Sequence, residues 1–184
     1  MTKPVKTDFY ILTLLIVSFL GCKSEPSEIE KYQIISEVLN HSYGHPTDDE
    51  NGLGWLDLSK DYNALFVIKH TNQIPSDIEI VDQYLKLNNY SEFSIDELKK
   101  YREWDINRII GYDRYQLESE GNKELDSHYI GQIQFSSISF NKGFDRAIIY
   151  TSYMCGGECG EGLLFHLSKS NKWEIEKVEV IWVS

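Results

Sequence analysis

The chain predicts an α+β domain, with an N-terminal helix and short helices packed on an antiparallel, meander-like sheet formed mainly by the C-terminal third. Three observations carry this. Apolar residues near the start of the folded part recur at helical spacing. From residue 129 onward, four strand-like runs follow one another with only short turn-forming breaks. Helices gathered ahead of such strands are the order of α+β, not of alternating βαβ units.

Taken in order, residues 1–21 place Lys3 and Lys6 ahead of an apolar run from Phe9 to Leu20. That run falls short of the ~20 residues a spanning helix needs, and reads as a secretory signal that is removed. Residues 22–27 form a tether, and residues 28–184 are the right length for one domain with its own core. Ser27 and Glu30 have capping-box spacing. Ile29, Tyr32, Ile35, Val38 and Leu39 then mark a helix ending near Tyr43-Gly44. "HPTDDENGLG" is a loop of turn-formers and carboxylates, and "ALFVIKH" at 64–70 is a buried strand. Ser76 with Glu79 and Ser94 with Glu97 repeat the capping spacing, so short helices are expected at both, the second being "IDELKKYREW". "INRIIGY" at 106–112 reads as a further strand.

The sheet proper comes from "YIGQIQFSSISF", "DRAIIYTSYM", "EGLLFHLSK" and "KWEIEKVEVIWVS", separated by "NKG", "CGGECG" and "SN". Alternation in the first slips by one residue at Ser136-Ser137. The last slips between Trp173 and Ile175 on one side and Val178, Val180 and Trp182 on the other. A slip without a turn predicts a β-bulge, which re-aims the face of a strand.

"FLGC" at 19–22 resembles the lipobox of bacterial lipoproteins: Gly21 and Cys22 fit the pattern, and Phe19 and Leu20 depart from it. The resemblance implies that Cys22 becomes the mature N-terminus and carries acyl chains such as palmitate. Several acyl chains together anchor a protein stably to a membrane without spanning it. Lys23 stands where many inner-membrane lipoproteins of Gram-negative bacteria carry Asp, which implies an outer-membrane address. "CKSEPSE" resembles the start that some groups use for surface display, so the resemblance implies either the periplasmic face or the cell surface.

The lipobox resemblance also settles the use of the cysteines. Of three, Cys22 is the lipid carrier, and Cys155 and Cys159 remain as a pair in a compartment where disulfides persist. Gly156-Gly157-Glu158 is expected as a three-residue hairpin connection with the two cysteines facing each other across it. Other chemistries of "CGGECGEG" are less well served. Zinc needs about four ligands; Cys155, Cys159 and His166 would still require Asp145 or Glu158. A thioredoxin-like pair needs C-x-x-C opening a helix, whereas this is C-x-x-x-C before a strand. A phosphate cradle needs a Lys, and here two carboxylates stand in its place.

Elsewhere, "TDDENG" at 47–52 lacks calcium-loop spacing. His41 and His45 beside Asp48 and Asp49 are separated by Gly44 and Pro46, which break helical geometry. No catalytic residue, metal or cofactor is nominated. Tyr150, Tyr153, Trp173 and Trp182 are expected in sheet packing before a ligand groove. The last 55 or so residues, with "SISFNKGFDRAIIY", a Gly-rich turn and "KWEIEKVEVIWVS", resemble the tail of a group of uncharacterised bacterial proteins, which implies architecture and no activity.

Formal net charge is −11, and loss of Lys3, Lys6 and Asp8 with the leader makes it −12. That balance excludes the basic footprint of a nucleic-acid binder. The expected function is a membrane-anchored envelope lipoprotein, a non-enzymatic binding or structural module. Its acidity also suits an inhibitor or immunity protein for a cationic toxin or lysozyme-like enzyme. A small hydrolase of envelope polymers would instead need a cleft where carboxylates, or a His and a carboxylate, converge.

Overall fold

A computed structural model describes residues 24–42, 64–67, 77–112, 116–118, 129–156 and 159–184. Its centre is the sheet anticipated from residue 129 onward. Strands β3 (Tyr129–Phe140), β4 (Arg146–Gly156), β5 (Cys159–Lys169) and β6 (Trp173–Val183) form an antiparallel meander. Two short strands extend it on the β3 side: β1 (Ala64–Val67) pairs parallel with β3, and β2 (Gln116–Glu118) pairs parallel with β1. The sheet order is therefore β2-β1-β3-β4-β5-β6. The parallel edge was not foreseen, because a three-residue strand carries no periodicity to read.

Both faces of the sheet are covered. On the first, helix α1 (Glu28–Ser42) lays Tyr32, Ile35, Val38 and Leu39 over Ile133, Phe135, Ile149, Phe165 and Trp173. On the second, α2 (Ile78–Leu87) and α3 (Ile95–Leu98) bring Ile78, Val81, Leu85 and Leu98 against Ile148, Tyr150 and Leu164. Neighbouring residues of β4 and β5 thus serve opposite cores, as a period-two strand between two layers must.

The first capping box forms. Ser27 N–H donates to Glu30 Oε2 at 2.9 Å, and Glu30 N–H donates to Ser27 Oγ at 3.3 Å. The same carboxylate accepts a hydrogen bond from the Lys169 ammonium at the end of β5, which ties the helix start to the sheet. Lys169 and then the Ser27 backbone hold Glu30 below the usual carboxylate range. Replacing Ser27 with Ala is expected to cost about 1 kcal/mol, read as a lower denaturation midpoint with unchanged m. One helix expectation needs correction. Ile29 is 65% exposed, whereas Ile34 is fully buried, because the buried side of the helix runs through Ile34, Ile35 and Val38 and Ile29 projects away from it.

Three other expectations change. Asp77, not Ser76, stands at the N-cap position of α2, and its side chain makes no cap bond there; Ser76 lies outside the described residues. Helix α3 stops at Leu98, well short of Trp104. Leu98 serves the second core and Trp104 the first, so the intervening chain must leave the helix to change faces. Residues 106–112 are not a strand. Asp105 accepts a bond from Asn107 N–H at 3.0 Å, which starts a 3-10 turn over Ile106–Arg108. A local side-chain acceptor of this kind competes with the extended ladder. Ile109 then enters the first core and Gly111 turns the chain with φ +78°.

The bulges fall where the alternation slips. Pairing of β3 with β4 shifts between Phe135 and Ile138, and pairing of β5 with β6 shifts at Glu176. A second shift in β6, between Val180 and Trp182, has no counterpart in the expected pattern. It sends Trp182 to the second face, opposite Gly162, while Val178 and Val180 stay opposite Phe165 and Leu163.

Candidate functional site

Three constellations are built on this sheet. The first is the β4–β5 hairpin that carries "CGGECGEG". Gly156 pairs with Cys159 and Met154 with Gly160. Only Gly157 and Glu158 separate the paired residues, and Cys155 sits in the register shift between the two pairs. The hairpin is therefore one residue tighter than the expected three-residue connection, because a bulge absorbs Cys155. The side chain of Cys155 lies outside what is described.

The later glycines of this motif have a packing role that the sequence did not suggest. Gly160 and Gly162 alternate on the second face, and the Trp182 ring lies across both. A Cβ on Gly162 would stand 2.1 Å from Trp182 Nε1 and 2.3 Å from Tyr150 Oη; one on Gly160 would stand 3.1 Å from the Trp182 ring. No real Cβ comes within 2.5 Å of such atoms. Trp182 Nε1 lies 2.7 Å from Tyr150 Oη, and both groups donate to Asp77 Oδ2 at the start of α2. Burial, and then the Asp77 carboxylate, push the Tyr150 phenol far above its ordinary pKa. Asp77 is spent on pinning α2 to the sheet, which is why it makes no cap bond.

On the first face of the same hairpin, Glu161 stands opposite Tyr153 and Val183. Burial alone pushes its carboxyl up to about 7. A raised carboxyl favours the folded state fully below the unfolded value of ~4.3, and that contribution is lost as pH rises through about 7. Glu161→Gln is expected to remove this part of the pH dependence, raising Tm at pH 8 while changing it little at pH 4. Equal shifts at both pH values would contradict the assignment.

The second constellation centres on His166, which points to the second face between β5 and β6. Its Nε2 lies 2.7 Å from Glu179 Oε2. Glu179 Oε1 accepts from Tyr84 Oη at 2.5 Å, from Tyr90 Oη at 3.3 Å and from Lys177. The Tyr90 ring lies against the imidazole, with centroids 4.7 Å apart. Burial works to raise the Glu179 carboxyl, but hydrogen bonds from Lys177, Tyr84 and His166 outweigh it and hold the group below the usual range. Burial and the neighbouring carboxylate lift Tyr84 to about 12. A small cavity of about 180 Å³ opens beside His166, bounded by Tyr90, Arg146 and Lys177. His166 is seven residues beyond Cys159 on the same strand, about 23 Å at strand rise, and on the other face. It cannot share a metal with the cysteines. Among the described residues, no group of three or more His, Cys, Asp or Glu is placed to hold a metal ion.

The third is an open groove of about 630 Å³ between the tether, the α2–α3 connection and the β3–β4 turn. Aromatic and charged side chains both line it: Phe93, Tyr101 and Phe144 with Lys100, Lys142 and Glu92. Phe144 holds φ +51°, a left-handed conformation that is costly for a bulky residue. Nothing in the sequence reading pointed here, because the lining residues come from four separate segments.

Of the remaining candidates, Tyr150 and Tyr153 are fully buried and serve opposite cores, and Trp173 belongs to the first core. They do not line one groove. His41 packs edge-on to Phe165, with centroids 6.1 Å apart. Cys22, His45, Asp48, Asp49 and the 47–52 loop lie outside the described residues. Among the described residues, no helix is long and apolar enough to cross a membrane.

Fold and sites together define a two-sided α+β domain with a buried His–carboxylate cluster and an amphiphilic groove. No protein-family model, curated protein or solved structure matches the chain.

Proposed function

We propose that this protein is a lipid-anchored envelope lipoprotein whose folded part is a binding or structural module, held to the outer membrane through Cys22. The observation that carries the reading is the short distance between "FLGC" at 19–22 and the capping box at Ser27–Glu30. The domain begins almost at once beyond the acylation site. Pro26 is already buried, and Lys31 holds Glu25 at 3.1 Å. The Cys155–Cys159 disulfide belongs to the same reading, since an oxidising compartment would close it.

Mass spectrometry of the protein from its native membrane tests both. Expected are an acylated Cys22 as the first residue and, without reductant, a mass two hydrogens below the dithiol form. Cys22→Ala is expected to move the protein to the soluble fraction. An unmodified N-terminus in membrane-extracted protein sinks the anchor, and free thiols at both other cysteines sink the bridge.

The net charge of −11 supports a second reading, an acidic inhibitor or immunity protein for a cationic enzyme. A salt-sensitive complex with a basic lysozyme-like protein would support it; crosslinking that captures none would end it. The hydrolase reading rests on His166 and Glu179. Both carboxylate oxygens already accept bonds from the protein, so the pair serves structure better than turnover.

A further inference from the structure

The groove of about 630 Å³ opens beside the tether, and Glu25 forms part of its wall. Glu25 is three residues after Cys22. A fully extended chain covers at most ~3.6 Å per residue, so the wall lies within about 11 Å of the Cys22 backbone. If Cys22 is acylated, its backbone sits at the bilayer surface, and the Glu25 edge of the groove lies no farther from the headgroups than that. The inference therefore rests on the anchor reading above.

The lining suits what would be found there. Tyr101 is 57% exposed although large and aromatic. Lys142 is exposed and makes no ion pair among the described residues. Phe144 keeps its left-handed backbone, a conformation of order 1 kcal/mol or more above the alternatives. Its ring packs at 6.4 Å from Phe140, at the groove wall. Glu92 supplies a carboxylate in a long, solvent-exposed ion pair with Arg146 at 3.6 Å. Aromatic rings with a Lys are the side chains that settle at a membrane interface. A carboxylate beside aromatic faces also holds an ammonium. A site with cation, anion and aromatic walls matches a zwitterion better than a simple anion. Its volume is in the range that takes a small polar ligand.

We propose that this groove receives a zwitterionic phospholipid headgroup, phosphoethanolamine, from the bilayer that holds the anchor. The phosphate would meet Lys142, and the ammonium would meet Glu92 and the rings of Tyr101 and Phe144. The domain is then held against the membrane by its groove and does not swing freely on its tether.

Hydrogen exchange on the acylated full-length mature protein tests this. Amides of residues 91–102 and 141–146 are expected to exchange about tenfold more slowly in phosphatidylethanolamine-containing vesicles than in maltoside detergent. Vesicles of phosphatidylglycerol alone should give no such protection. Tyr101→Ala and Lys142→Glu should each abolish it while leaving acylation and Tm unchanged. Equal exchange in vesicles and detergent, or protection that survives both substitutions, overturns the proposal and leaves the anchor standing. An unacylated Cys22 overturns the anchor and, with it, the bilayer as the source of the headgroup, leaving only the groove's affinity for the headgroup to be tested. The groove is then read by NMR titration of the same chain with glycerophosphoethanolamine: shifts confined to these segments sustain the site, and no shifts remove it.

Discussion

Gly162→Ala is expected to lower stability by about 3 kcal/mol, on the order of 10 °C in Tm for a chain of this size. The new methyl would sit 2.1 Å from Trp182 Nε1 and 2.3 Å from Tyr150 Oη. Neither neighbour can yield cheaply. Trp182 is held by Tyr150 and Asp77, and Tyr150 is fully buried. Moving the indole takes its N–H from Asp77 and loosens the start of α2, so a lost hydrogen bond adds to the overpacking. A double-mutant cycle isolates the cause. In a Trp182→Ala background, Gly162→Ala should cost less than in the native chain but not become neutral, since Tyr150 Oη still stands 2.3 Å from the new methyl. Equal costs in the two backgrounds would show that the glycine is needed for something other than the indole.

Glu179→Ala is expected to be comparably severe, at about 3 kcal/mol. The carboxylate is 7% exposed and is the acceptor for His166, Tyr84, Tyr90 and Lys177. Its removal takes from the buried imidazole and the partly buried Tyr84 hydroxyl the carboxylate both of them bond. The figure is set at the low end of such losses because Lys177, 55% exposed, can turn to water. Acid should have a related effect on the native chain. Glu179 is held below its ordinary value, so its contribution is present above the unfolded carboxylate pKa of ~4.3 and is lost as pH falls through the folded value. Urea midpoints from pH 7 down to pH 3 should fall more steeply for the native chain than for Glu179→Ala. Parallel curves would assign the acid sensitivity to other groups.

What the sequence revealed and what it hid divide along one physical line. The four long strands were readable because each repeats its period five or six times, and the slip at Ser136-Ser137 was readable because both flanks are regular. The capping box at Ser27–Glu30 was readable because all its partners are local. Features made by distant partners were not. Trp182 was placed with Val178 and Val180 because only three residues follow the bulge at Ile181, too little pattern to register. Asp77 resembled an ordinary helix-start residue, and its partners are 73 and 105 residues away. His166 was weighed only as a metal ligand, and its partner Glu179 looked like one more charge in a strand rich in them. The groove was invisible for the same reason, since no single segment supplies more than a part of its wall.

The parallel edge and the late arrival of β6 bear on how the chain reaches this state. Helix α1 is made first, yet its core partners Phe165 and Trp173 lie more than 120 residues downstream. Contacts so distant in sequence close slowly, because the loop entropy must be spent before they form. A nascent chain emerging from its N-terminus can raise the capped helix early but cannot bury it until the last hairpin is complete. The topology thus leaves the first helix without its full cover until the final strand is delivered, although the second core can assemble from earlier segments.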